Sequence, residues 1–552
     1  MNAAVLCILG LAVFALGYRF YSRYLATKIF ALRDDEPVPA VELEDGIDYV
    51  PTNKHVLFGH HYASIAGAAP IIGPAVAVVW GWVPALLWVV LGTVFMGAVH
   101  DFSTLVMSMR HEGKSVGTIV GKVIGPRSRT LFLLVILCLV MLIIAVFAQA
   151  IAKLFMKQPG TVIPINFEII VALLIGWWCY KRQKKLLVPS LLALVSLYSM
   201  VWVGVKVPVS VHAIFGQHTQ LAWAVALLVY SFIASVLPVW VLLQPRDFIN
   251  SHQLFVGLGA LIVGMMVAHP TMNAPAFNAA PAGTPNWFPF LFVTIACGAI
   301  SGFHGLVSSG TTSKQLACAT DARPVGYGAM LGEGTLAMIS TLAVGAGLAN
   351  WSGHYDSWSK AASGGVANFV QGAASFLVAL GIPRDPSQVV VAVLVISFAA
   401  TSLDTGVRIQ RYILEELGAL YHIGILQNRY VASFIAVLLP FLLIAGGKAG
   451  DLWVLFGSTN QLLAGLSLTL VTVWLIRMGR TWYHVGIPMV LVLVVAGIAM
   501  ATKLGQFIEA GDYLLAVIGS VVLALEVWVV LEGIVAIKRH RAGRADPAVR
   551  VV

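Results

Sequence analysis

The side chains with the plainest chemistry fall in a few short stretches. His60 and His61 are adjacent in GHHYAS, and His100 and Asp101 are adjacent in GAVHDF. Imidazoles and a carboxylate brought together would hold a zinc-like metal ion or relay a proton. Held apart, each would simply hydrogen-bond to its neighbours at a membrane interface. A second set reads FAATSLDTGVRIQRYILEEL, where Thr401, Ser402 and Asp404 stand together and Arg408 lies one turn beyond Asp404. Those hydroxyls and the carboxylate are suited to a small coupling cation. Alternatively, Asp404 and Arg408 pair and only order the bundle. His304 stands among glycines and hydroxyls in SGFHGLVSSGTTSKQL. Substrate contact, proton transfer and plain packing are all open to it. Glu333 and Glu526, in apolar runs, read as proton carriers or as satisfied structural carboxylates. Arg246 and Asp247 in LQPRDF read as a gate pair or a helix anchor, and Asn460 and Gln461 as links between helices.

The elements that must position these groups are apolar helices. Of 552 residues, 59% are hydrophobic and 11% charged, against about 25% charged in soluble domains. That excludes a soluble enzyme and a disordered chain. Sixteen apolar segments recur from end to end. The weakest, 365–380, is too short to cross and carries Asn368 and Gln371, so it reads as re-entrant or surface-lying. About fifteen crossings remain, an all-α polytopic membrane protein forming one domain over 1–552. With the C-terminus in the cytoplasm and the N-terminus outside, Arg110–Arg129, Lys181–Lys185, Lys314–Arg323, Arg408–Arg429 and Arg477–Arg480 all fall inside. The net charge of +10 then reflects topology, not nucleic-acid binding. The expected location is the bacterial inner membrane, among lipid. The five cysteines form no CxxC and read as buried small hydrophobes.

Two of these helices do not read as continuous. HHYASIAGAAPIIGPAVAVVW crowds Gly67, Pro70, Gly73 and Pro74 into its middle. ACGAISGFHGLVSSGTTSKQL scatters glycines among hydroxyls. Irregular backbone at membrane depth survives only where protein or a wet cavity satisfies it. Half-helix N-termini there suit a carboxylate. Gly67, Ala68, Ala69, Pro70 and Gly73 from the first stretch are therefore expected to bind substrate. So are Ser301, Gly302, Phe303, His304, Ser308, Ser309, Thr311 and Thr312 from the second. Thr401, Ser402, Asp404 and His304 are expected to couple an ion. The two breaks lie seven crossings apart and run in opposite directions, the pattern of an inverted-repeat transporter. The approximate halves are 60–205 and 288–475, with accessory helices at 484–537. The competing reading is that the glycines only let helices pack closely.

PTNKHVLFGHHYASIAGAAPIIGPAVA, GAVHDF, LQPRDF, SGFHGLVSSGTTSKQL, SLDTGVRIQRYILEEL and FGSTNQLLAGL together resemble the carbon starvation protein A (CstA) family, over roughly residues 50–470. The resemblance implies a LeuT-like inverted repeat and a transporter of peptides, or of pyruvate with protons, serving carbon starvation. It also implies that Thr401 and Ser402 match a sodium-ligating hydroxyl pair. The expected function is a secondary active symporter, with proton favoured over sodium. No cofactor is required beyond a bound metal or sodium ion. A passive channel for small carboxylates needs the same cavity without coupling. A carbon-status sensor lacks a soluble signalling domain, and an enzyme reading lacks HExxH.

Overall fold

The computed structural model describes residues 1–552 except 47, 183–186, 239, 280, 282, 447–448 and 543–552. Part of the Lys181–Lys185 cluster and the tail beyond residue 542 therefore lie outside the described residues. The described chain is helical, with two isolated bridges and no strands. A lipid-immersed segment must satisfy its own backbone, so long apolar runs have no alternative to the helix.

In chain order the main helices are α1 (Ala3–Leu16, continued by π-helical turns to Ile29), α2 (Lys54–Ile65), α3 (Ala69–Ala77), α4 (Trp82–Met109), α5 (Pro126–Lys157) and α6 (Val162–Arg182). Next come α7 (Leu187–Lys206), α8 (Thr219–Val236), α9 (Leu243–Ala268), α10 (Trp287–Thr294), α11 (Ala296–Ala299) and α12 (Gly302–Gly310). The last are α13 (Ala329–Ala346), α14 (Trp358–Val378), α15 (Arg384–Leu420), α16 (Arg429–Ala445), α17 (Ala449–Arg477), α18 (Tyr483–Glu509) and α19 (Tyr513–Arg541).

Among the described residues, twelve helices are long and apolar enough to cross a membrane, or thirteen if the bent pair Lys54–Ile65 and Ala69–Trp80 is one span. Fifteen less thirteen leaves two expected crossings that do not meet that test. One is α16, at 17 residues; the other is the interrupted stretch α10 to α12. Helix α14 is not among the twelve. It packs on α3, α9, α13 and α15, and Lys153 Nζ donates to its Ser363 carbonyl at 2.5 Å.

The centre of the bundle is polar in places and closed to lipid. The best apolar windows of Ala319–Ala346 and Leu452–Arg477 are each 94% buried, against 33% for α7 and α19, so α13 and α17 are central and the other two peripheral. Helix α5 packs along α15. Around that pair the neighbours repeat: α8 lies on α5 as α16 lies on α15, and α9 lies on α2 as α17 lies on α12. Likewise α13 lies on α3 as α4 lies on α12. Arg110, Arg323 and Arg480 bind loops and helix ends at one end of the bundle, reaching Phe30, Tyr18 and Ile29 carbonyls. The N-terminus is at the other end, where Ala3 N donates to Pro270 O.

Candidate functional site

Both suspected breaks are present. Helix α2 stops at Ile65, Ala66 turns out of the helix at φ −74°, ψ 71°, and α3 restarts at Ala69. The two axes are bent by 52°. In the second, α11 and α12 are separated by Ile300 (φ −161°, ψ 132°) and Ser301 (φ −135°, ψ 127°), both extended. The breaks lie side by side. A Cβ on Gly73 would sit 2.2 Å from Thr294 O, so no other residue allows α3 to lie this close to α10. Gly302 fills the same role against α17, where a Cβ would fall 2.6 Å from Ala464 N and Asn460 O. Asn460 tethers the second break: its Oδ1 accepts from Phe303 N at 3.1 Å and from Ser301 Oγ at 3.3 Å.

Between the breaks lies a closed cavity of ≈ 10 Å³, lined by Gly67, Ala69, Pro70, Phe303, His304 and Ser402 together with Ile65, Ile143, Phe147, Cys297 and Phe456. Six residues expected from the sequence thus meet at one point. Ala68, Ser301 and Gly302 are buried in the breaks themselves. The hydroxyls further along α12 do not line the cavity. Ser309 accepts from Val116 N at 3.1 Å, Thr312 bonds His61 Nδ1 at 2.8 Å, Ser308 is buried, and Thr311 is exposed.

His304 is the centre of a buried ionisable cluster. Its Nδ1 meets Asp101 Oδ2 at 2.9 Å, and its Nε2 lies 3.0 Å from Glu333 Oε2, at ion-pair distance though off the hydrogen-bond direction. Asp101 Oδ1 also meets His100 Nδ1 at 2.8 Å. The cluster joins α4, α12 and α13.

The expected metal group of His60, His61, His100 and Asp101 does not assemble. Among the described residues no set of three or more His, Cys, Asp or Glu is placed to hold a metal ion. Adjacent helical residues point about 100° apart. His61 accordingly turns to Thr312, while His60 faces Asp247, with Nδ1 3.6 Å from Oδ2. Only His100 and Asp101 stay together.

The pairing of Asp404 with Arg408 also needs correction. Asp404 binds the Arg246 guanidinium of α9, and accepts from Tyr230 OH and Ser231 Oγ, each at 2.9 Å. Arg408 instead donates to the Ala234 and Leu237 carbonyls at 2.8 and 2.7 Å, where α8 ends. Thr401 is fully engaged: Arg246 Nη2 donates to it at 3.1 Å and Asn250 Nδ2 at 2.7 Å, and it donates to Ser397 O. Ser402, one residue on, faces the cavity with no hydrogen-bond partner for its Oγ. The neighbouring hydroxyls therefore serve different places.

One buried carboxylate escaped the sequence reading. Glu168 is 4% exposed on α6, and its Oε2 accepts from Ser397 Oγ at 2.8 Å. The signal was present, since it is a lone charge in the apolar run VIPINFEIIVALLIGWW.

Two interrupted helices enclosing a small cavity within a helical bundle define a LeuT-like membrane transporter. A solved structure of that class, MhsT in complex with L-phenylalanine, matches with a TM-score of 0.50 at 12% identity, covering 90% of this chain and 99% of that one. The carbon starvation protein CstA family model matches residues 2–350 and 348–499, and the chain belongs to that family. Its relatives are transporters, not enzymes. It is 34% identical over 544 residues to the peptide transporter CstA of Helicobacter pylori (strain ATCC 700392 / 26695), covering 87% of this chain and 78% of the relative. It is 33% identical over 506 residues to the peptide transporter CstA of Bacillus subtilis (strain 168), covering 85% and 84%. It is also 33% identical over 589 residues to the pyruvate/proton symporter BtsT of Escherichia coli (strain K12), covering 91% and 82%.

Proposed function

We propose that this chain is a proton-coupled secondary transporter of the bacterial inner membrane. It takes up a small carboxylate-bearing solute, pyruvate or a short peptide, by alternating access during carbon limitation. The observation that carries the reading is the closed cavity at the crossing of the two breaks, with His304 on its wall and Asp101 and Glu333 behind it. At ≈ 10 Å³ it has room for about one water, so the helices that close it must part to admit cargo. Half-helix ends on α3 and α12 present backbone N–H groups to a carboxylate. His304 can gain and lose a proton beside it.

The cation is a proton rather than sodium, because the place expected for sodium is taken. Thr401 accepts from the permanently charged Arg246, and a second cation beside it would be repelled. No metal enters the mechanism.

We assign the inverted halves to 54–268 and 287–477, wider than the boundaries drawn from the sequence. The matching positions of α8 on α5 and α16 on α15, and of α9 on α2 and α17 on α12, support this. It leaves α6 and α7 as a hairpin inserted into the first half, and α18 and α19 as accessory helices. The Arg110, Arg323 and Arg480 end is cytoplasmic by the positive-inside rule. This puts the N-terminus outside and the C-terminus inside, with fifteen crossings.

The test is uptake of labelled pyruvate and labelled Ala-Ala into proteoliposomes, with and without sodium, a pH gradient and a protonophore. Accumulation of one probe that follows the pH gradient and ignores sodium is the expected result. Equilibration without accumulation would make the protein a passive facilitator. Dependence on sodium would return Thr401 and Ser402 to an ion site.

A further inference from the structure

The polar network around Arg246 brings the carboxyl groups of Asp404, Glu168 and Asp247 to one guanidinium. Arg246 is committed to Asp404, Tyr230 and Thr401. Glu168, on the inserted hairpin, lies within electrostatic reach of the same guanidinium. Its Oε2 accepts from Ser397, and its Oε1 is buried with no hydrogen-bond partner. An ionised carboxylate with an unmet oxygen in a membrane interior is costly. A protonated carboxyl is neutral and tolerates that site. The charged and titratable groups that face it are Arg246 and Asp247 of α9, Asp404 of α15 and Tyr230 of α8. Asn250 of α9 stands beside it, with Nδ2 on Thr401 and Oδ1 unpaired.

We propose that Glu168 is a second proton-carrying residue, and that its proton decides whether Arg246 binds Asp404 alone or is shared between the two carboxylates. The inference rests on the proton-coupled reading above. With Glu168 protonated, Arg246 and Asp404 neutralise each other and lock α9 to α15, the closed arrangement of this structure. When the O–H bond of Glu168 breaks, its proton passes to water and the charge stays on the carboxylate. Glu168 and Asp404 then compete as anions for the one guanidinium. Arg246 is drawn toward α6, and its grip on Asp404 and Thr401 loosens. The hairpin outside the paired halves thereby gains a function: it carries the acceptor that competes for the arginine of α9. The titrating partner in this cluster is Glu168.

The experiment compares wild type, Glu168→Gln and Glu168→Asp in proteoliposomes. Infrared spectroscopy follows protonated carboxyl bands as pH is raised. Counterflow and pH-driven accumulation are measured with labelled pyruvate and labelled Ala-Ala. Gln is nearly isosteric with a protonated Glu, so E168Q should fold, keep counterflow, lose one titrating carboxyl band and lose accumulation. E168D should regain the band and part of the accumulation. An E168Q protein with the wild-type band pattern, or with wild-type accumulation, overturns the proposal. So does an E168Q protein that cannot be recovered folded, because a neutral side chain is what the site is argued to hold. If wild type itself accumulates neither probe, the parent reading fails. The infrared arm still separates that failure from one of Glu168.

Discussion

Two buried ionisable clusters flank the breaks, and they are built on different principles. Around Arg246 and Asp404, a permanent cation meets a carboxylate that also accepts two hydroxyl bonds. Around His304, no permanent cation is present: a histidine sits between Asp101 and Glu333, with His100 on the far side of Asp101. The first is held together by an ion pair. The second can redistribute a proton among His304, Glu333 and Asp101 without any group leaving its place. Membrane-buried charge is expensive in either form. The difference is that the Arg246–Asp404 pair fixes helices until, in the proposed switch, Glu168 competes for the arginine, while the His304 cluster passes a proton among its own members.

The sharpest way to break this contrast is to remove one member of the fixed pair. Arg246→Ala should strand Asp404 as a buried unpaired anion and destabilise the protein by about 3–5 kcal/mol. Asp404→Asn should do the same to Arg246. Thermal unfolding in detergent is the measurement. The double variant Arg246→Met with Asp404→Asn should recover part of the loss, because neither charge is then left alone. Equal and additive losses in the singles and the double would mean the two side chains are not coupled.

The titrating cluster should respond in function rather than in stability. His304→Gln retains an N–H toward Asp101, which also keeps its contact with His100, so the fold should survive. Wild-type uptake should rise as external pH falls. The variant should show a flat pH profile and no accumulation, while still exchanging labelled substrate across the membrane. Wild-type pH dependence in His304→Gln would move the coupling proton elsewhere. It would leave the contrast between the clusters without a functional side.

What could be read in advance follows from the range of each interaction. Hydropathy and the glycine–proline crowding are local, and they revealed the helices and both breaks. The charge bias of the loops is equally local. Side-chain direction is not. His60 and His61 are neighbours in sequence, yet they serve Asp247 and Thr312 on different helices. Arg246 and Asp404 are 158 residues apart, and nothing near either residue announces the other. Arg408, a turn from Asp404, was the nearer partner and the wrong one. It turned instead to carbonyls left open where α8 ends. Glu168 was legible as a lone charge among apolar residues. Its meaning depended on α6 lying against Ser397 and Arg246, which only the packing supplies.

Ser402 offers the smallest effect and separates the two halves of the comparison. It follows Thr401 on α15, but faces the cavity and not the Arg246 network. Its hydroxyl is buried without a hydrogen-bond partner. Replacing an unsatisfied hydroxyl by hydrogen removes a desolvated group and breaks no bond. Ser402→Ala should therefore leave stability within about 0.5 kcal/mol of wild type and create no sodium dependence. Its effect should be confined to the affinity for substrate, since Gly67 of the first break lies directly against Ser402 Oγ. A Ser402→Ala variant that changed cation selectivity and left substrate affinity alone would return this hydroxyl to an ion site. It would also make the cluster around Asp404 the one that moves.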